Sequence, residues 1–310
     1  VLLVFFLGGC SSIAIALAPR REPEAPNEAT ERGERLLAEA LLDGAYDRLP
    51  EVITELTRLA VEHPRDGRLH TALGLAHLWR VSEKERDPAP SPRLTEHVVL
   101  SRHYLGSARA LLPDDARVHG WSAGAMLATA TLLDDARARR EGYFEMQDAM
   151  SDFPEFNLFS ASFVFSRLPA DDPKYDAEVV ESMFEAATRC YGDADDWDER
   201  RATVAEAMAQ LEIPTDERRV CYPSPDAPHN IEGFFLHFGD ALSKAGRLDD
   251  AREAWDLARL APSFQTWAYR AELEARVADP EGHSRIARAG RAGEGMMITS
   301  AYACSGCHQR

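Results

Sequence analysis

The residues best suited to do chemistry close the chain. Cys304-Ser305-Gly306-Cys307-His308 spells C-x-x-C-H, followed by Gln309 and Arg310. Two thiols at this spacing can add to the two vinyl groups of a haem, and a histidine beside the second thiol then lies under the ring as an iron ligand. The spacing predicts one covalent haem c, held through Cys304 and Cys307 with His308 as axial ligand. A redox dithiol, half of a zinc site and an ordinary disulfide are the other chemistries open to such a pair. Five cysteines scattered over 310 residues would produce the full signature by chance well under ~1% of the time, which favours haem over these three.

The second face of the iron would be open, water-bound or closed by another side chain. Met296 and Met297 are candidates because a thioether ligand raises the potential toward electron-transfer values, although methionine is also a common core filler. His229 lies on a loop with Pro223, Pro225 and Pro228, directly before Asn230, an expected N-cap for a helix from Ile231. His237 falls on that helix, where a lone histidine is more often surface or capped core than ligand. His283, in a turn flanked by Gly and Pro, reads as solvated. His63, His70, His77, His97, His103 and His119 are scattered; His70 and His77 share a helix face but are too far apart to form a metal pair.

At the other end of the chain, Val1–Leu7 is apolar and Leu7-Gly8-Gly9-Cys10 follows it. These residues resemble a bacterial lipobox, which implies a lipidated Cys10 and, with Ser11 after it, sorting to the outer membrane. Residues 1–18 could instead form an uncleaved anchor, or be cleaved after Ala16-Leu17-Ala18, which Pro19 disfavours. All three routes lead out of the cytoplasm, to a periplasmic or surface address where disulfides persist. The cysteines then divide: Cys10 for lipid, Cys304 and Cys307 for haem, and Cys190 with Cys221 as a disulfide of about 3 kcal/mol.

Positioning these groups falls to helices. Residues 19–32 are charged and Pro/Glu-rich, and read as a flexible tether. From Gly33 the apolar spacing is helical. Leu36, Leu37, Ala40 and Leu41 form one stripe, and Leu49, Val52, Ile53, Leu56, Leu59 and Ala60 form the next before Pro64. Leu73-Gly74 followed by Leu105, Ala108 and Pro113 repeats the scheme, as do Met146 and Ala149 before Pro154. The clearest copy is Phe235, Phe238, Gly239, Leu242, Gly246, Ala251, Trp255 and Ala258 before Pro262.

These units resemble tetratricopeptide repeats, which implies paired helices crossing at small residues and stacking into a solenoid. The expected fold is all-α: an irregular tetratricopeptide-like helical-hairpin solenoid over residues 33–290, with residues 291–310 a haem-attachment tail docked on it. Residues 82–96, with Pro88, Pro90 and Pro92, read as an insertion, and helices are expected at 156–166, 177–190 and 197–211. A turn or two is expected at 284–289, after Pro280 and Gly282 end the preceding helix. Small cytochromes c, as a family, carry C-x-x-C-H near the start of a compact domain, so here the preceding helices must build the pocket.

The chain is 45% hydrophobic and 28% charged, as a soluble globular protein requires. Asp and Glu outnumber Lys and Arg by 52 to 35, and the net charge of −17 repels phosphate backbones, so no nucleic-acid partner is expected. The acidic run Asp193–Glu199 reads as a solvated helix entry rather than a calcium loop. No nucleophile elbow, zinc-protease helix, phosphate loop or dinucleotide fingerprint occurs. The expected function is an envelope-anchored monohaem protein in electron transfer or redox-partner docking, within or beside an envelope protein complex, rather than an enzyme. The alternative is a non-haem scaffold lipoprotein with a structural or redox C-x-x-C.

Overall fold

Helix boundaries follow local signals. The computed structural model describes residues 22–86, 93–210, 213–222, 229–289 and 303–309, so Cys10, Met296 and Met297 lie outside the described residues. The first helix, α1 (Glu28–Leu42), starts inside the expected tether. Asn27 explains the early start: its side chain accepts from the Ala29 and Thr30 amides while Thr30 Oγ1 accepts from the Asn27 amide, a reciprocal capping box.

Next come α2 (Leu49–Glu62), α3 (Gly67–Ser82), α4 (Leu94–Leu111), α5 (Ala116–Leu132) and α6 (Ala136–Asp152). Asp66, Asp115 and Asp135 cap α3, α5 and α6 through the first free amides. Two of these caps come two residues after a proline, Pro64 and Pro113, so one short signal ends a helix and starts the next.

The chain continues through α7 (Pro154–Phe165), α8 (Glu181–Tyr191), α9 (Trp197–Ala209), α10 (Ile231–Ala245), α11 (Leu248–Ala258), α12 (Arg270–Ala278) and α13 (Pro280–Arg288). A single π-turn over Asp176–Val180 leads into α8. Pro280 opens α13 rather than ending its predecessor, because its ring is preorganised for the first helical position and Asp279 caps the Gly282 amide. The last helix is a single turn, α14 (Ser305–His308).

The fold is all-α, with neighbouring helices packed as hairpins in a solenoid-like succession and no strand among the described residues. The main pairs are α3 with α4, α5 with α6, and α10 with α11. Close approach depends on glycine: a Cβ on Gly74 would stand 2.6 Å from Leu105 Cγ, and one on Gly239 would enter the Trp255 ring. Among the described residues no helix is long and apolar enough to cross a membrane.

Two separate apolar cores result. The first, between α1, α2 and α3, buries Leu37, Tyr46, Leu56, Leu69, Leu73 and Trp79. The second runs from α5 to α12 and includes Phe156, Tyr191, Phe235, Phe238 and Trp255. The terminal tail lies between them, since α14 packs against both α1 and α10.

Candidate functional site

Cys304 and Cys307 belong to different cores. The Cys304 side chain packs against the first core, with Sγ 3.1 Å from Ser82 Oγ. Cys307 is buried in the second. The two thiols are not joined to each other. One helical turn separates them, with the Cys307 and His308 amides donating to the Cys304 carbonyl.

Polar groups from both sides hold that turn. Glu83, wholly buried, accepts from the Ser305 amide at 2.6 Å and from Ser305 Oγ at 3.1 Å. Arg86 pairs with Glu83 at 3.1 Å, donates to the Gly44 carbonyl at 3.1 Å and lies over the Tyr46 ring. From the other side, Trp267 Nε1 donates to the Gly306 carbonyl at 3.2 Å. The Asn230 amide donates to the Cys307 carbonyl at 2.6 Å, and Asn230 Nδ2 to the Gln309 carbonyl at 3.1 Å. Tyr269 donates to Gln309 Oε1 at 3.0 Å. Gly233 lets α10 approach this backbone, because a Cβ there would stand 2.7 Å from Cys307 Cα and from the Gly306 carbonyl.

His308 faces His229, with ring centroids 4.4 Å apart and planes inclined by 45°. Phe156 and Phe159 each place a ring 6.1 Å from His229. Next to the His229–His308 contact is a cavity of about 30 Å³ lined by Phe156, Phe159, Tyr191, His229, Phe234 and Cys307. Cys190 and Cys221, joined as the expected disulfide, line the same cavity. Burial, with His308 and His237 nearby, holds His229 well below the ordinary histidine range, so its imidazole is neutral at pH 7. Burial likewise pushes the thiols of Cys304 and Cys307 up.

His237 is buried rather than exposed, one helical turn from Gly233. Its ring lies against Phe159 and Phe163, and burial lowers its pKa to about 3. His237 Nε2 has no hydrogen-bond partner among the described residues. His283 is not solvated: its Nε2 lies 3.1 Å from Asp240 Oδ1, in a buried cluster with Arg276. The helix bend that places it there begins at Pro280, which sequence periodicity reads as a stop.

A second group of histidines comes together around Tyr104. His77 Nδ1 lies 2.8 Å from His97 Nδ1, while the rings of His70, His77 and His103 surround the phenol. His70 and His77 share a face of α3, as their spacing implies, and that face meets Tyr104, with His97 also coming from α4. Glu83, in a charged stretch that reads as an insertion, carries no local signal of its contact with Ser305. Asn230 is legible as an N-cap, and it does accept from the Gly233 amide, but its bonds to the tail are not.

The residues fit haem c in kind: two unlinked thiols, an adjacent imidazole, a facing neutral imidazole and aromatic walls. With the rings 4.4 Å apart and the cavity only water-sized, the tail and His229 must separate to admit a macrocycle. Among the described residues no group of three or more His, Cys, Asp and Glu is arranged to hold a metal ion. No family model, curated protein or solved structure matches the chain.

Proposed function

We propose that the chain carries one haem c through Cys304 and Cys307, with His308 as axial ligand, and serves in electron transfer in the bacterial cell envelope. The helical solenoid would dock the protein redox partner, and a lipidated Cys10 would hold the chain at the membrane. The observation that carries this reading is His308, set beside two unlinked thiols and facing a second imidazole within an aromatic-walled cavity. A bound haem supplies one-electron chemistry at iron.

The chain's own residues do the rest. Cys304 and Cys307 would tether the ring, each S–H adding across a vinyl double bond with sulfur on one carbon and hydrogen on the other. Phe156, Phe159, Tyr191 and Phe234 keep water from the site. Asn230 and Trp267 hold the tail backbone in register with α10. A redox dithiol is less well served, because thiolate reactivity needs a lowered pKa and burial here acts in the opposite direction. The Cys190–Cys221 disulfide is in keeping with an oxidising compartment.

A second reading is favoured by the small volume of the cavity: the C-x-x-C turn is a structural latch joining two cores in a scaffold lipoprotein. Intact mass and a pyridine haemochrome spectrum of protein produced with a cytochrome c maturation system separate the two. One covalent haem per chain, lost in Cys304→Ala/Cys307→Ala, is the expected result. An unmodified mass with unalkylated or mutually bonded Cys304 and Cys307 overturns the haem reading and leaves the latch.

A further inference from the structure

His229 reaches His308 across 79 residues of sequence, and described residues that flank it in sequence on both sides are tied down. On one side, Asn230 is bonded to the tail itself, through its amide to the Cys307 carbonyl and through Nδ2 to the Gln309 carbonyl. On the other, Cys221 is bonded to Cys190 near the end of α8, and its carbonyl accepts from the Tyr191 hydroxyl at 3.5 Å. Cys190, Cys221, His229 and Cys307 all line one cavity. The disulfide is therefore part of the wall that faces the haem-attachment turn.

We propose that His229 takes the iron face opposite His308, and that the Cys190–Cys221 disulfide is a positioning element that keeps it there. The iron is then closed to small exogenous ligands, which suits an electron carrier rather than a ligand-binding or peroxide-cleaving site. This rests on the haem reading above.

Two features favour His229 over the other histidine nearby. His229 is in direct ring contact with His308, whereas His237 sits deeper along α10 with Phe159 and Phe163 against its ring. Phe156 and Phe159 also wall His229 on two sides, so its ring has few alternative orientations. Breaking the disulfide uncouples Cys221 from Cys190 in the wall of the cavity that His229 lines. That wall then loosens, and the imidazole is lost from the iron for part of the time.

The test uses the full haem-loaded chain as wild type, His229→Ala, His229→Met and Cys190→Ser/Cys221→Ser. Haem per chain is read by pyridine haemochrome, and CO binding by the absorbance change of the ferrous form. The wild type is expected to hold one haem and to resist CO. His229→Ala should bind one CO per haem, and His229→Met should restore resistance, because a thioether can fill the same position. The disulfide-free variant should bind CO at least about tenfold more tightly than wild type, a shift of about 1.4 kcal/mol. Should that variant not fold, wild type reduced and alkylated after haem loading supplies the same comparison.

Wild type that binds CO stoichiometrically, or His229→Ala that refuses it, overturns the assignment of His229. A disulfide-free chain with wild-type CO resistance overturns the positioning role. A wild-type chain without haem overturns the haem reading, and this inference falls with it.

Discussion

The carboxylate of Glu83 holds Ser305, 222 residues further along the chain, by two hydrogen bonds: one from the amide at 2.6 Å and one from the hydroxyl at 3.1 Å. The acceptor is wholly buried, so this contact has no competition from water. It fixes the start of the terminal turn against the first core, while Asn230 fixes its end against the second. The C-x-x-C-H turn thus sits at the junction of the two cores.

Glu83→Gln should loosen that junction. The amide can replace one acceptor but not the charge facing Arg86, and a buried polar group left short of partners costs about 1–3 kcal/mol. Urea unfolding followed by circular dichroism should show a lower midpoint, and maleimide should label Cys307 faster in the folded, haem-free chain. Unchanged labelling would show that Glu83 does not hold the tail.

Gly233→Val should displace the tail with less effect on the rest of the fold. The new side chain would collide with Cys307 Cα and the Gly306 carbonyl, and relief comes from moving the terminal turn rather than α10. Overpacking of this kind costs about 1–3 kcal/mol. In the haem-free chain, rapid alkylation of Cys307 with a nearly unchanged helical spectrum is the expected result.

Reduction of Cys190–Cys221 should destabilise the protein. The bond separates residues 31 apart in sequence, and closing a loop of that size is worth about 3–4 kcal/mol in the chain-entropy model. Chemical denaturation with and without dithiothreitol measures it. A midpoint insensitive to reduction would place the bond's worth in local geometry instead.

Acid should weaken the protein in two separate windows. Burial, with His97 beside it, lowers His77 to about 4, so its folded pKa lies below the unfolded value near 6.5. Between those values the unfolded chain binds the proton and the folded chain does not, so stability falls as pH drops from about 6.5 to 4, by an amount on the order of 1–3 kcal/mol. His77→Phe should make that fall shallower in a pH series of thermal melts, leaving the part due to the other buried histidines, His229 and His237.

The second window is lower. Burial alone would raise Asp240, but Arg276 and His283 outweigh it and hold the carboxyl at about 2. Its folded pKa is therefore depressed, and the stability it contributes is present above about pH 4 and lost as pH falls through 2, on the order of 2–3 kcal/mol. Asp240→Asn should remove this acid step while lowering stability at pH 7, because the buried Arg276 loses its 2.7 Å charge pair with Asp240. An acid step that survives in Asp240→Asn assigns it elsewhere.

Much of the helical pattern is legible in single residues. Pro64 with Asp66, and Pro113 with Asp115, mark a stop and a start within three positions, because one residue lacks an amide proton and the other caps free amides. Asn230 announces α10 in the same way. The exceptions are equally local. Asn27 and Thr30 start α1 inside a segment too charged to show apolar periodicity, and Pro280 starts a helix where it reads as an end.

The sequence by itself determined most of the helices, their order, the spacing of Cys304, Cys307 and His308, and the pairing of Cys190 with Cys221. Each of these depends on residues close together or on elimination among five cysteines. Only the tertiary structure decided that Cys304 and Cys307 face different cores, that His229 rather than His237 meets His308, and that His77 meets His97. Those relationships cross from one hairpin to another. They depend on how successive hairpins rotate as they stack and on where the last turn finds unpaired donors and acceptors, neither of which is written in any local stretch of chain.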